Sequence, residues 1–95
     1  MVPSPLGTGH RYARPVVVLR LFAAAREAAG TGRDEVPGAT VGEVLHAARA
    51  RYSPVFTEVL ATAQVWRNGE PCSDADAVAV GDEVAVLPPV SGGQV

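Results

Sequence analysis

The chain has 95 residues, of which 47% are hydrophobic, 19% charged and 5% aromatic, with a formal net charge of −2. That is one domain of globular rather than disordered composition, with apolar runs too short to span a bilayer and a mildly acidic balance that makes it a poor candidate for nucleic acid, where a clustered basic face is expected. A single cysteine, Cys72, with two histidines rules out an internal disulfide and a zinc site, and the absence of lysine removes Schiff-base and P-loop lysine chemistry.

Residues 1–15 hold three prolines and two glycines without periodicity and read as a flexible leader. No apolar stretch resembling a secretory signal occurs in Met1–Arg14, so a cytoplasmic location is expected. Val16–Phe22 is apolar and β-branched nearly throughout, which predicts a central strand with much of each face covered. Ala23–Ala29 is alanine-rich and stops at Gly30, a short helix with a glycine end. Val36 and its flanks suit a short strand closed by Pro37-Gly38.

Thr40 and Glu43 form a Thr-x-x-Glu capping box, and Val41, Val44, Leu45 and Ala48 recur at helical spacing to about Tyr52, where Ser53-Pro54 ends the run. Val55, Phe56, Val59 and Leu60 make a shorter helical or irregular segment. Gln64–Arg67 alternates as a strand, Asn68-Gly69 is a hairpin turn, and Glu70–Cys72 is its short return arm. A loop over Asp74–Val80 and a turn at Gly81-Asp82 lead to a last strand, Glu83–Leu87, stopped by Pro88-Pro89. The order predicts an α+β fold: a single mixed sheet over residues 16–89 with one main helix packed across one face. Residues 90–95 form a flexible tail.

No catalytic grouping emerges. The carboxylates are scattered, His10 lies in the leader, and His46 falls on the outer side of the long helix. Cys72 suits a half-buried apolar position better than a sulfur relay, and Trp66 and Phe56 read as core residues rather than stacking platforms. Gly30-Thr31-Gly32 lacks the strand-to-helix context of a phosphate loop. The end of the chain stands apart. A strand runs through Pro-Pro into Val90-Ser91-Gly92-Gly93, whose side-chain-free glycines suit a narrow channel, although composition alone also fits a frayed terminus.

The string Gly81-Asp82-Glu83-Val84-Ala85-Val86-Leu87-Pro88-Pro89-Val90-Ser91-Gly92-Gly93 resembles the C-terminal signature of the MoaD/ThiS family of ubiquitin-like sulfur carriers, closest to the molybdopterin synthase small subunit. Leu21-Phe22-Ala23 followed by Ala25-Arg26-Glu27 and Gly30, then Thr40–Leu45, then Asn68-Gly69-Glu70, resemble the family's opening, main helix and hairpin, so the likeness runs over about residues 16–93. It implies a β-grasp fold. It also implies a carrier that is not itself an enzyme and binds no cofactor. A ubiquitin-activating-type enzyme uses ATP to adenylate Gly93, a sulfur donor makes the thiocarboxylate, and the large subunit of molybdopterin synthase or another sulfur-accepting synthase receives the sulfur. On the same resemblance, Phe22, Leu87, Pro71, Pro88 and Pro89 form an apolar docking patch with Arg26 as a polar contact, unless Phe22 and Leu87 are core residues. Neither nucleic acid nor membrane is an expected partner.

Gln94-Val95 departs from the family ending. A protease that clips after Gly93 is one reading; a binding-only relative and an artefact of the chain's end are the others. Carriers for thiamine, cysteine or secondary-metabolite pathways stay open as recipients, as does a ubiquitin-like modifier joined to lysines of other proteins.

Overall fold

The computed structural model describes residues 14–89, so the expected leader up to Ala13 and the tail from Val90 lie outside the described residues. Within them the chain runs β1 (Val16–Leu21), α1 (Ala23–Ala29), β2 (Arg33–Pro37), α2 (Val41–Arg51), α3 (Pro54–Ala61), β3 (Gln64–Arg67), β4 (Glu70–Pro71) and β5 (Glu83–Leu87). The five strands form one mixed sheet in the order β2-β1-β5-β3-β4. β5 runs parallel to β1 and antiparallel to β3. The last strand therefore enters the middle of the sheet, and the chain leaves from the centre of one sheet end. This is the β-grasp arrangement, with helices on one face only.

Strand alternation decides what each face carries. Val17, Leu19 and Leu21 of β1 and Val84 and Val86 of β5 are buried against the helices. Val16, Val18 and Arg20 alternate with them toward the other face, so β1 has both neighbours but only one fully covered face, contrary to the expectation from its composition. β2 is longer than Val36 suggested, because Arg33, Asp34 and Glu35 pair with β1 through the backbone ladder, whatever their side chains.

α2 begins as its capping box predicts: the Glu43 amide donates to Thr40 Oγ1 at 3.2 Å. The return bond is shifted by one residue, since the Glu43 carboxylate accepts from the Ala39 amide at 2.9 Å rather than from Thr40. Val41, Val44, Leu45 and Ala48 are the buried stripe of α2. The ambiguous segment after Ser53 is a helix, with Pro54 at its first turn, where its missing N–H costs no intrahelical bond. α3 adds Phe56 and Leu60 to the core, and Tyr52 meets Phe56 edge to face at 5.0 Å. The main helix α2 thus packs across the inner face as expected, with the shorter α1 and α3 beside it.

The hairpin after β3 turns on Asn68 (φ 51°) and Gly69 (φ 85°), the left-handed pair that a two-residue loop requires. The loop before β5 is tied to the start of α2 by backbone bonds from Val41 to Asp76 and from Gly42 to Asp74, both 2.9 Å. No helix among the described residues is long and apolar enough to cross a membrane.

Candidate functional site

The uncovered face of the sheet is the candidate site. Register places its residues without ambiguity, because cross-strand partners share a face. Leu87 lies opposite Gln64, and Ala85 opposite Trp66. Trp66 in turn lies opposite Pro71. On the parallel side, Arg20 is beside Ala85 and Val18 beside Glu83. Phe22 follows β1 on the same side, and its amide donates to the Val86 carbonyl at 3.3 Å. That bond sets Phe22 next to the last residues of β5, at the root of the tail.

Phe22 is 40% exposed, so it belongs to the surface rather than the core. The reason is local. Ala23 has φ 51°, in the left-handed region, and turns the chain sharply from β1 into α1. The turn leaves the Phe22 ring on the open face while α1 buries Ala25 on the other. The Arg20 guanidinium sits 5.7 Å from the Phe22 ring centroid and donates to Glu83 at 3.1 Å. Leu87 is half-buried, Pro71 and Pro89 are exposed, and Pro88 is buried. Pro88 still lines the cleft beside Leu87, and Pro89 is the exposed member of the pair. Arg26 is exposed on α1 and lines a cleft together with Phe22, Arg20 and Arg33. A second cleft beside Leu87 and Pro89 and a third beside Trp66 and Pro71 share Gln64 as a wall. Ser91, Gly92 and Gly93 lie outside the described residues.

Trp66 is a correction. It is half-buried on the open face, its indole N–H donating to Gln64 Oε1 at 3.3 Å, whereas Phe56 is the fully buried aromatic. Alternation within Gln64-Val65-Trp66-Arg67 held the signal, since Val65 takes the core-facing position. Arg20 and Arg33 were not singled out by sequence reasoning; Arg20 was visible as the one polar residue in an apolar strand.

The remaining titratable groups have structural explanations. Burial pushes the Cys72 thiol up, nearby Asp76 adding to the effect, which disfavours the thiolate a sulfur relay needs. Its Sγ donates to the Val65 carbonyl at 3.4 Å. Asp82 is held below the usual carboxylate range chiefly by the Ala79 amide, 2.8 Å away. His46 is exposed on α2. Among the described residues no three His, Cys, Asp or Glu side chains cluster closely enough to hold a metal ion.

Comparison with known proteins follows this geometry. Residues 19–93 match the model of the ThiS family. The Small archaeal modifier protein 1 of Haloferax volcanii is 40% identical over 84 residues, covering 78% of this chain and 97% of the relative. Its crystal structure superposes with a TM-score of 0.74, at 36% identity over 82% of this chain and 99% of the other. A putative molybdopterin converting factor, subunit 1, from Pyrococcus furiosus superposes with a TM-score of 0.71, at 28% identity over 80% of this chain and 99% of the other. A mixed sheet closed by a central last strand, an uncovered face at the root of a Gly-Gly segment and a family match that stops at Gly93 all agree: the chain belongs to the ThiS family of β-grasp, ubiquitin-like sulfur carriers and modifiers.

Proposed function

We propose that this chain carries sulfur on the carbonyl of Gly93 for molybdopterin synthesis. The single observation behind the proposal is the root of the tail. The central strand β5 ends between Phe22 and Gln64 on an open face, so a partner that grips this face also receives the segment leading to Gly93. The family match ends at Gly93 as well.

The chemistry assigns little to the carrier itself. Gly93 is followed by Gln94, so a protease must first cleave the Gly93–Gln94 bond to free the carboxylate. A carboxylate is a poor electrophile until one oxygen becomes a leaving group. The adenylating partner joins that oxygen to the α-phosphorus of ATP and releases pyrophosphate. Sulfide from the donor then attacks the carbonyl carbon, the new C–S bond replaces the C–O bond to AMP, AMP departs, and the thiocarboxylate remains. The large subunit of a molybdopterin synthase accepts the sulfur. Likeness to the Pyrococcus furiosus protein supports this recipient.

Phe22, Leu87, Pro71, Pro89 and the half-buried Trp66 supply the apolar contact in this reading, with Arg26 at its edge. Replacing Phe22 and Leu87 together by Glu puts two charges into that contact and should cost at least 100-fold in affinity for the adenylating enzyme (about 3 kcal/mol) with the fold intact. Unchanged affinity in a folded double variant rejects the patch.

The 40% identity to Small archaeal modifier protein 1 favours a second reading, in which Gly93 is joined to lysine amines of other proteins. The chain contains no lysine, so lysine-linked chains of this protein cannot form. Mass spectrometry of the protein from its native host separates the readings. A species ending at Gly93, with the mass increment of sulfur replacing oxygen, supports the carrier. Conjugates on a denaturing gel that vanish when Gly93 is deleted, with no thiocarboxylate, support the modifier. Intact Gln94 on every molecule rejects both.

A further inference from the structure

We infer that the edge strand β2 is sealed against strand addition by the chain's own side chains, and that, once unsealed, it pairs antiparallel with β2 of a second copy of this chain. The sheet has two edges, β2 and β4. An edge offers unpaired N–H and C=O groups on which another strand can build. β4 is only two residues long. The Cys72 amide turns in to the Val65 carbonyl, so alternation turns the backbone of Pro71, which has no N–H, away from the sheet. β2, at five residues, is long enough to serve as a template.

Parity identifies the outward groups of β2. The Leu21 amide bonds the Gly32 carbonyl, whereas the Val18 and Phe22 amides point to the β5 side, to Asp82 and Val86. Leu19 lies opposite Asp34 and Val17 opposite Val36, so Gly32, Asp34 and Val36 bond β1 while Arg33, Glu35 and Pro37 turn their backbone groups outward. Those groups are already taken. Thr31 Oγ1 donates to the Arg33 carbonyl at 2.9 Å and accepts from the Arg33 amide at 3.3 Å. The Glu35 amide donates to Asp34 Oδ1 at 2.8 Å, and the Glu35 carbonyl accepts from Arg51 Nη1 at 2.9 Å. Pro37 has no N–H to offer. All four bonds lie on exposed groups, where water would serve nearly as well, so they add little to stability. Their effect is to leave an approaching strand nothing to pair with.

Charge complementarity selects a second copy as the occupant of the unsealed edge. Arg33 and Glu35 share one face of β2, 3.8 Å apart. Two β2 strands related by a two-fold axis through Asp34 set each Arg33 opposite the other copy's Glu35, an attractive pair on either side of the axis. The same axis sets the two Asp34 side chains opposite each other, where like charges repel. Asp34 thus closes the edge twice, by occupying the Glu35 amide and by opposing its own copy. Arg51 holds it in place, donating to Oδ2 at 3.0 Å.

The test is sedimentation velocity of the full chain over a range of concentrations. Asp34→Ala with Arg51→Ala should associate to a dimer about ten-fold or more tightly than wild type does. Adding Glu35→Arg sets arginine against arginine and should reverse the gain; adding Arg33→Glu as well swaps the charges and should restore it. In the dimer the Arg33 and Glu35 amides should exchange with solvent more slowly than in the monomer. Asp34→Asn with Arg51→Ala keeps an acceptor for the Tyr52 hydroxyl, so the same comparisons can be made even where the alanine variant does not fold. A folded variant that sediments as wild type does, or a dimer indifferent to the charge reversals, overturns the proposal.

Discussion

Tyr52→Phe probes how the edge strand β2 is held to the helices. The Tyr52 hydroxyl donates to Asp34 Oδ2 at 2.6 Å, and Arg51 donates to the same oxygen at 3.0 Å. Arg51 also donates to the Glu35 carbonyl at 2.9 Å, so the end of α2 grips β2 at two consecutive residues. The variant keeps the ring and its edge-to-face contact with Phe56 and removes one hydrogen bond to a charged acceptor. Such a bond contributes about 1.5–3 kcal/mol when sheltered. The Asp34 side chain is 30% exposed, so solvent competes and the expected loss at pH 7 is about 1–2 kcal/mol. Asp34 is held below the ordinary carboxylate range, first by Tyr52 and then by Arg51 and the Glu35 amide. A depressed folded-state pKa contributes stability that is present above the unfolded value of ~3.9 and is lost as pH falls through the folded value. The difference between wild type and variant in urea denaturation should therefore shrink on acidification below about pH 4. Burial and the Asp34 carboxylate push the Tyr52 phenol up, above its ordinary value. Wild type should then lose stability as pH rises beyond ~10, where the unfolded chain ionises first, and the Phe variant should lose less. Equal stability of the two proteins at pH 7, or a loss unchanged at acid pH, would refute this account of Asp34.

Other perturbations test the packing that presents the open face. Gly38→Ala should cost ~3 kcal/mol, since its Cβ would stand 2.6 Å from Val44 Cγ2 and 2.7 Å from the Val44 amide nitrogen; a thermal midpoint within a degree or two of wild type would contradict it. Phe56→Ala empties the centre of α3's contact and should cost about 3–5 kcal/mol in the same denaturation assay. Thr40→Ala removes the α2 cap and should cost about 1 kcal/mol, with the first-turn amides gaining hydrogen-exchange rate.

Much of the fold was legible because local signals carried it. The Thr40–Glu43 box, the Gly30 stop with φ 80°, and the Asn68-Gly69 turn are backbone chemistry written within a few residues. The Gly-Gly segment and its flanking string are equally local, and they carry the resemblance to the family. The polar half of β2 is not legible in the sequence because ladder hydrogen bonds do not depend on apolar side chains, and α3 is ambiguous there because eight residues carry too little periodicity. What the sequence determined alone was most of the elements and the Gly-Gly string that carries the family likeness. Only the tertiary structure decided which side of each strand meets water. Inserting β5 between β1 and β3 gathers Phe22, Leu87, Trp66 and Pro71 on one face and sets Arg20 against Arg33. Those neighbours lie far apart along the chain, and nothing within a strand's own sequence says which strand will lie beside it.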